Sequence, residues 1–204
     1  MDKPYVVGIT GGIASGKTAA TEFLAEQGAL VLDADVESRA LTAENGDALP
    51  MIHEKFGDAV FNEDGTLNRR ALGEIVFASE EQRRALEGII HPMVQHRIIQ
   101  KIRQAEQDGV PFLFLSVPLL FETGMDALCD ETWVLYADRE QQIARVVARD
   151  GLSREAAEAR VDSQMPAQER VARATRAIST DRPIERTRAE LEQLYRAALK
   201  RAQA

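Results

Sequence analysis

Apolar residues fall along the chain in two patterns, short continuous runs and stretches spaced three or four apart. Tyr5-Val6-Val7-Gly8-Ile9-Thr10, Ala29-Leu30-Val31-Leu32, Phe112-Leu113-Phe114-Leu115-Ser116-Val117 and Glu131-Thr132-Trp133-Val134-Leu135-Tyr136 are runs of strand length, as expected of strands buried on both faces of a parallel sheet. Ala177-Ile178-Ser179 is a weaker fifth candidate. The Phe112 run is the most hydrophobic and is predicted to lie centrally, beside the first strand. Between runs the spacing is helical: Ala20, Phe23 and Leu24 share a face within 19–27, and Gly28 supplies the left-handed residue that ends that helix. Pro183 opens a terminal helix with Leu191, Leu194 and Leu199 on its apolar side. Strands alternating with helices predict an α/β fold on a parallel sheet.

From about 41 to 109 no convincing strand is present. Leu49, Ile52, Phe56 and Val60 follow one helical face, Asn62-Glu63-Asp64-Gly65 reads as a turn before a helix capped by Asn68, and Ser79 with Gln82 matches a capping box ahead of Leu86, Ile89 and Ile90. His91-Pro92 predicts a break with Pro92 at the start of a new helix; His91 either marks that break or reaches a ligand phosphate from the mouth of the insert. The helix from Met93 buries Val94, Ile98 and Ile102, turns Arg97, Lys101 and Arg103 to solvent, and ends at Gly109 with Pro111. After the fourth strand, Asp138 and Gln141 predict another capping box, and Arg145 and Arg149 follow four residues apart on one helix. Arg154 and Arg160 stand on a second helix after Gly151 and a Ser153 cap. The chain is thus expected to be one domain, with a core (about 1–40, 110–138 and 170–204), a helical insert (about 41–109) and a helical lid (about 139–169).

Composition narrows this little but usefully. Hydrophobic residues make up 45% and charged residues 28% of 204 residues, a globular profile. The formal net charge of −8 argues against a broad nucleic-acid footprint. A single cysteine, Cys129, rules out an intrachain disulfide and reads as a small buried residue. No apolar run approaches the length of a membrane span, and the expectation is a cytoplasmic protein, monomeric or weakly homo-oligomeric, without nucleic-acid or membrane partners.

Chemistry enters at Gly11-Gly12-Ile13-Ala14-Ser15-Gly16-Lys17-Thr18, which fits G-x-x-x-x-G-K-[ST] and stands between a strand and a helix start. Gly12, Ile13, Ala14, Ser15 and Gly16 would turn backbone N–H groups toward a phosphate chain, with the helix N-terminus adding positive potential. Lys17 would bridge the outer phosphates, and the Thr18 hydroxyl would meet the magnesium ion that accompanies the nucleotide. Asp33 and Asp35 stand at the carboxyl end of the second strand, where α/β sheets bind ligands, although either could simply cap the helix that follows. Glu122, these aspartates or Thr18 alone would organise the metal waters. The arginine hairpin suits a lid that neutralises a transferring phosphoryl group, against the plainer reading of salt bridges to Glu140, Asp150, Glu155 and Glu158. The guanine-reading N-K-x-D and the D-x-x-G switch of GTPases are absent. The parts point to a small-molecule kinase using ATP and Mg2+, a P-loop three-layer α/β fold with a five-stranded parallel sheet.

The chain further resembles the dephospho-coenzyme A kinase family from Thr10 to about Gln164. The matching residues are Thr10 through Thr18, Asp33-Ala34-Asp35 with Arg39, Asp64-Gly65-Thr66-Leu67 with Arg70, His91-Pro92, Val117-Pro118-Leu119-Leu120-Phe121-Glu122, and Arg149-Asp150 with Gln164. The resemblance implies transfer of the ATP γ-phosphate to the ribose 3′-hydroxyl of dephospho-CoA, the last step of coenzyme A synthesis. It implies Asp35 as the base, Asp33 as a supporting acid, Lys17 and Arg149 as further catalytic groups, and Thr10, Arg39, His91, Pro118, Leu119, Leu120, Phe121 and Glu122 around the acceptor. Family members usually carry Ala-Asp, then an isoleucine and an Asn-x-Gly turn that helps surround adenine; here Ala174 is followed by Thr175 and Arg176, and Ile178 by Ser179-Thr180-Asp181-Arg182. A nucleoside or nucleoside monophosphate kinase is the alternative enzyme, and a nucleotide-sensing regulator the alternative outside enzymes.

Overall fold

The structure, a computed structural model, describes residues 3–203. Five strands, β1 (Tyr5–Gly11), β2 (Val31–Asp33), β3 (Phe112–Ser116), β4 (Glu131–Tyr136) and β5 (Arg176–Ser179), form one all-parallel sheet in the order β2-β3-β1-β4-β5. Nine α-helices accompany them among the described residues: α1 (Lys17–Glu26), α2 (Ala34–Leu41), α3 (Leu49–Phe56), α4 (Arg69–Ala78), α5 (Glu80–Gln107), α6 (Arg139–Asp150), α7 (Arg154–Asp162), α8 (Ala167–Arg173) and α9 (Ile184–Ala202). β1 lies between β3 and β4, with Ile9 opposite Ser116 and Gly11 opposite Leu135, so the expected central pair holds. Val7, Ile9, Phe114, Trp133 and Leu135 are fully buried, with Leu24 of α1 and Leu191 of α9 packed on the same cluster. Among the described residues no helix is long and apolar enough to cross a membrane.

The chain divides into two compact units, one running to Leu32 and resuming at Gln104, the other spanning Asp33–Arg103. The helix that follows Asp33 therefore belongs with the inserted helices.

Three expectations are corrected. β2 is a three-residue edge strand rather than one buried on both faces: Leu32 is buried but Leu30 is 40% exposed, because no strand pairs on its outer side. Pro92 does not open a helix, since α5 runs unbroken past it. Proline there removes one N–H and crowds the carbonyl four residues back, yet Leu86, Ile90, Val94, Ile98 and Ile102 continue one stripe in steps of four across it. Burial of the last three holds the helix together. Lastly, Asp138 occupies the N-cap position of α6 but its side chain makes no cap bond; its own N–H donates to Asp181 Oδ2 at 2.7 Å. The caps by Asn68 and Ser153, the Ser79 half of its capping box and the left-handed Gly28 and Gly109 are as expected. Cys129 is only half buried, but burial with Asp126 and Asp130 nearby pushes its thiol up to about 12, so it is unreactive.

At the amino-end edge of the sheet Glu131 is 6% exposed and collects three donors. Tyr5 Oη donates at 2.8 Å, Trp133 Nε1 at 3.2 Å, and the Arg201 guanidinium of α9 pairs with it. Burial alone would raise this carboxyl, but the donors and the Arg201 charge overrule it and hold it below the usual range. A depressed carboxylate stabilises the fold above its unfolded pKa and ceases to do so as pH falls through the folded value. Glu131→Gln should therefore cost about 1–3 kcal/mol at neutral pH. In thermal melts the gap between wild type and variant should close below about pH 4.5.

Candidate active site

β1 runs straight into the glycine loop. Ser15 N–H donates to Gly12 O at 3.1 Å, Ala14 takes the left-handed conformation (φ 55°), and Gly16 (φ 87°) caps α1, whose first residue is Lys17. The loop has no room for side chains at its entry. A Cβ on Gly11 would run into the Ser15 side chain and stand 2.6 Å from Leu135 O; one on Gly12 would stand 2.5 Å from Arg170 Nη1 and 2.7 Å from Gln142 Nε2. Ser15 is 1% exposed and its Oγ is buried without a hydrogen-bond partner, an orphaned hydroxyl inside a backbone cradle. That combination suits a phosphate chain, which brings acceptor oxygens and needs close backbone approach. Lys17 Nζ donates to Ser116 Oγ at the end of β3 (2.8 Å), and Thr18 is exposed in the first turn of α1.

Polar side chains from later in the chain hold the loop. Gln164 Oε1 accepts from Ile13 N–H (2.7 Å) and Gln142 Nε2 donates to Ile13 O (2.7 Å), so the two peptide units that flank Ile13 are both held. Arg145 donates to Ala14 O (3.1 Å), Thr180 Oγ1 (3.0 Å) and Thr180 O (2.7 Å). The Thr180 hydroxyl lies 3.0 Å from Ser15 O and 3.2 Å from Tyr136 O. The apolar sides of Ile13 and Ala14 rest on Ile143, Val146 and Ala157 of α6 and α7. Ala14, Gly16, Arg145, Thr180, Arg182 and Ile184 line part of a cavity of about 290 Å³ beside α1.

In the same unit, Thr10 Oγ1 donates to Pro118 O at 3.0 Å, tying β1 to the Pro118–Glu122 segment. Leu120 and Phe121 are buried, Arg173 of α8 stacks over the Phe121 ring at 4.5 Å, and Glu122 is exposed. Arg149 lies on the surface in a bidentate pair with Asp150 (2.7 and 3.0 Å), so the guanidinium raised in pKa by that bond is occupied within its own helix. Arg160 shares Asp150 (2.9 Å), Arg154 pairs with Glu140 (2.6 Å) and Glu158 (2.9 Å), and Arg139 with Asp162.

The second unit carries the remaining candidates. Asp33 caps α2, its Oδ1 accepting from Asp35 N–H (2.8 Å) and Val36 N–H (3.2 Å), which realises the capping reading. Asp35 and Arg39 follow one turn apart on the exposed side of α2, while Ala34, Glu37 and Leu41 are buried. Arg97 and Lys101 are not a free solvent face: Lys101 Nζ meets Glu37 at 2.6 Å, and Arg97 meets Glu37 at 3.8 Å and Asp47 at 3.2 Å. The cause is Glu37, a carboxylate 6% exposed, which needs counter-charges. His91, inside α5, faces a cavity of about 290 Å³ shared with Thr42, Arg69 and Leu72.

Sequence reasoning missed Ser116, Gln142, Arg170 and Thr180 as loop partners, and assigned Gln164 no role. Gln142 alone left a signal, a polar residue one turn before Val146 on the buried face of α6.

A parallel sheet in this order, a glycine cradle feeding α1, and a lysine at its start define a P-loop kinase. Comparison with known proteins narrows the class. The chain belongs to the dephospho-CoA kinase family, whose sequence pattern matches residues 5–185. It is 45% identical over 193 residues to dephospho-CoA kinase of Symbiobacterium thermophilum, covering 95% of this chain and 81% of that one. The Carboxydothermus hydrogenoformans enzyme is 39% identical over 186 residues, covering 91% and 90%. The crystal structure of TT1252 from Thermus thermophilus superposes with a TM-score of 0.80 at 35% identity, covering 98% of each chain.

Arg145 joins the loop to the Thr180 turn through three hydrogen bonds. Arg145→Met should therefore weaken ATP binding roughly tenfold, about 1.4 kcal/mol, in a calorimetric titration.

Proposed function

We propose that this chain transfers the γ-phosphoryl group of ATP to the ribose 3′-hydroxyl of dephospho-CoA, giving coenzyme A and ADP, the last step of coenzyme A synthesis. The observation that carries this reading is the glycine cradle from Gly11 to Gly16, closed to side chains at Gly11 and Gly12, with Lys17 behind it, in a member of the dephospho-CoA kinase family. Gly12, Ile13, Ala14, Ser15 and Gly16 bind the phosphates through backbone N–H groups and the Ser15 hydroxyl. The cavity beside Thr180 and Arg182 takes the adenine.

Asp35 accepts the proton of the 3′-hydroxyl as its oxygen attacks the γ-phosphorus; the bond from that phosphorus to the β,γ-bridging oxygen breaks and its electron pair leaves with ADP. Asp33 supports it by fixing the first turn of α2 through its cap bonds. Lys17 offsets charge on the outer phosphates. Thr10, Arg39, His91 and Pro118 to Glu122 line the acceptor site, and Arg149, once released from Asp150, adds positive charge from the lid. The exposed Thr18 hydroxyl and nucleotide oxygens suit magnesium, a hard cation that takes oxygen ligands and keeps its waters. When bound, the ion neutralises charge building on the β- and γ-phosphates. The enzyme works in the cytoplasm on small molecules alone, as a monomer or weak homo-oligomer, its core, insert and lid acting as one kinase domain.

An ADP-release assay comparing dephospho-CoA with nucleosides and nucleoside monophosphates tests the acceptor: turnover should be confined to dephospho-CoA, and preference for another acceptor would refute the reading. Lys17→Ala should abolish turnover. Asp35→Asn should lower kcat by roughly 100-fold or more while KM for dephospho-CoA changes less than threefold; equal effects on both would make Asp35 a binding residue.

A further inference from the structure

Of the arginines on the α6–α7 hairpin, Arg145 is spent on neutral acceptors, Ala14 O and Thr180, and the other four contrast with one that lies beyond the hairpin. Arg139, Arg149, Arg154 and Arg160 are surface residues and each is held by a carboxylate. Arg170, on α8, is 5% exposed and takes part in no ion pair among the described residues. Its Nε and Nη2 both donate to one neutral acceptor, the Met165 carbonyl. The two terminal nitrogens also lie against Gly12 of the phosphate loop, where Nη1 would stand 2.5 Å and Nη2 3.1 Å from a Cβ. Burial pulls the guanidinium pKa down, opposed only by the field of Glu122. A guanidinium remains charged at any such shift. A buried cation without a close counter-charge is costly to keep, so a fold that keeps one beside a phosphate cradle is prepared for an anion.

The position selects which anion. The helix end of such a loop cradles the α- and β-phosphates and its lysine reaches the β and γ, so the loop entry at Gly11 and Gly12 faces the terminal phosphate. Glu122, whose field reaches Arg170, ends the segment assigned to the acceptor. We propose that Arg170 is a catalytic residue of the transfer, its Nη1 facing the γ-phosphoryl group across Gly12 and stabilising the charge on its equatorial oxygens. It exchanges no proton and forms no bond: the 3′-oxygen to phosphorus bond forms, the bond to ADP breaks, and Arg170 offsets negative charge throughout. Gln142, at the same distance range from Gly12, and Gln164 fix the loop at the height this requires.

The inference rests on the kinase reading, which the wild-type chain reports separately in the same assay. Full-length Arg170→Met, Arg170→Lys and Arg170→Ala are compared for ADP formation, with dephospho-CoA varied at saturating ATP, and for thermal melting. Expected are a kcat loss of roughly 100-fold or more in Arg170→Met with KM for dephospho-CoA within threefold, partial recovery in Arg170→Lys, and recovery of roughly tenfold or more in Arg170→Ala on adding guanidinium, all without a lowered melting temperature. A kcat in Arg170→Met within threefold of wild type would overturn the proposal. A loss that follows a lowered melting temperature and is not recovered by guanidinium would overturn it equally, reducing Arg170 to a prop for Met165.

Discussion

A loop that binds phosphate with bare backbone cannot brace itself, and the rest of the core unit follows from that constraint. Side chains at Gly11 and Gly12 would fill the cradle, so beyond the internal bond from Ser15 N–H to Gly12 O the side-chain contacts that fix its shape come from outside. α6 supplies Gln142 and Arg145, the segment after α7 supplies Gln164, and the turn after β5 supplies Thr180. Two hydrogen bonds on the Ile13 N–H and carbonyl and two on the Ala14 and Ser15 carbonyls hold a conformation that includes a left-handed alanine, which costs on the order of 1 kcal/mol left to itself. The helices near the loop are thus part of the binding site even where they touch no ligand.

The same economy governs charge. Arg139, Arg149, Arg154 and Arg160 are each paired with nearby carboxylates, an arrangement worth little to stability because water already screens it. Glu37 and Glu131 are buried, and each gathers several donors, since a lone carboxylate in that position would be destabilising. Glu37 ties α5 to α2, the helix whose first turn holds Asp35. Against this background of compensated charges Arg170 stands out.

Elements with a strong local cause were legible in the sequence. The buried runs of β1, β3 and β4, the glycine loop, the caps at Asn68 and Ser153 and the proline-led α9 each depend on residues within a few positions. What was not legible depends on tertiary placement. Pro92 looks like a helix start until the four-residue stripe on either side is seen to be one stripe. Lys101 looks solvated until Glu37, 64 positions earlier in sequence, is known to be buried. Arg170 carries no sequence signal at all, because the charge that makes it unusual is the one missing beside it. The place of Lys17 at the start of α1 was readable from the motif, whereas its partner Ser116 required the β1–β3 register.

The turn after β5 departs from the family pattern yet stays tied to the phosphate loop. The Asn-x-Gly turn is replaced by Thr180-Asp181-Arg182, and glycine's freedom is lost there. None of these three residues adopts a positive φ, so the turn does not need glycine in this chain. Thr180 instead brings a β-branched side chain whose Cγ2 would lie 3.4 Å from a Cβ on Gly16, and whose hydroxyl reaches Ser15 O. Arg145 completes the tie by bonding both the hydroxyl and the carbonyl of Thr180. The link between the turn after β5 and the phosphate loop is therefore made by a hydroxyl and a guanidinium, and it is the left-handed backbone at position 16, not the Thr180 methyl at ordinary contact distance, that favours glycine there.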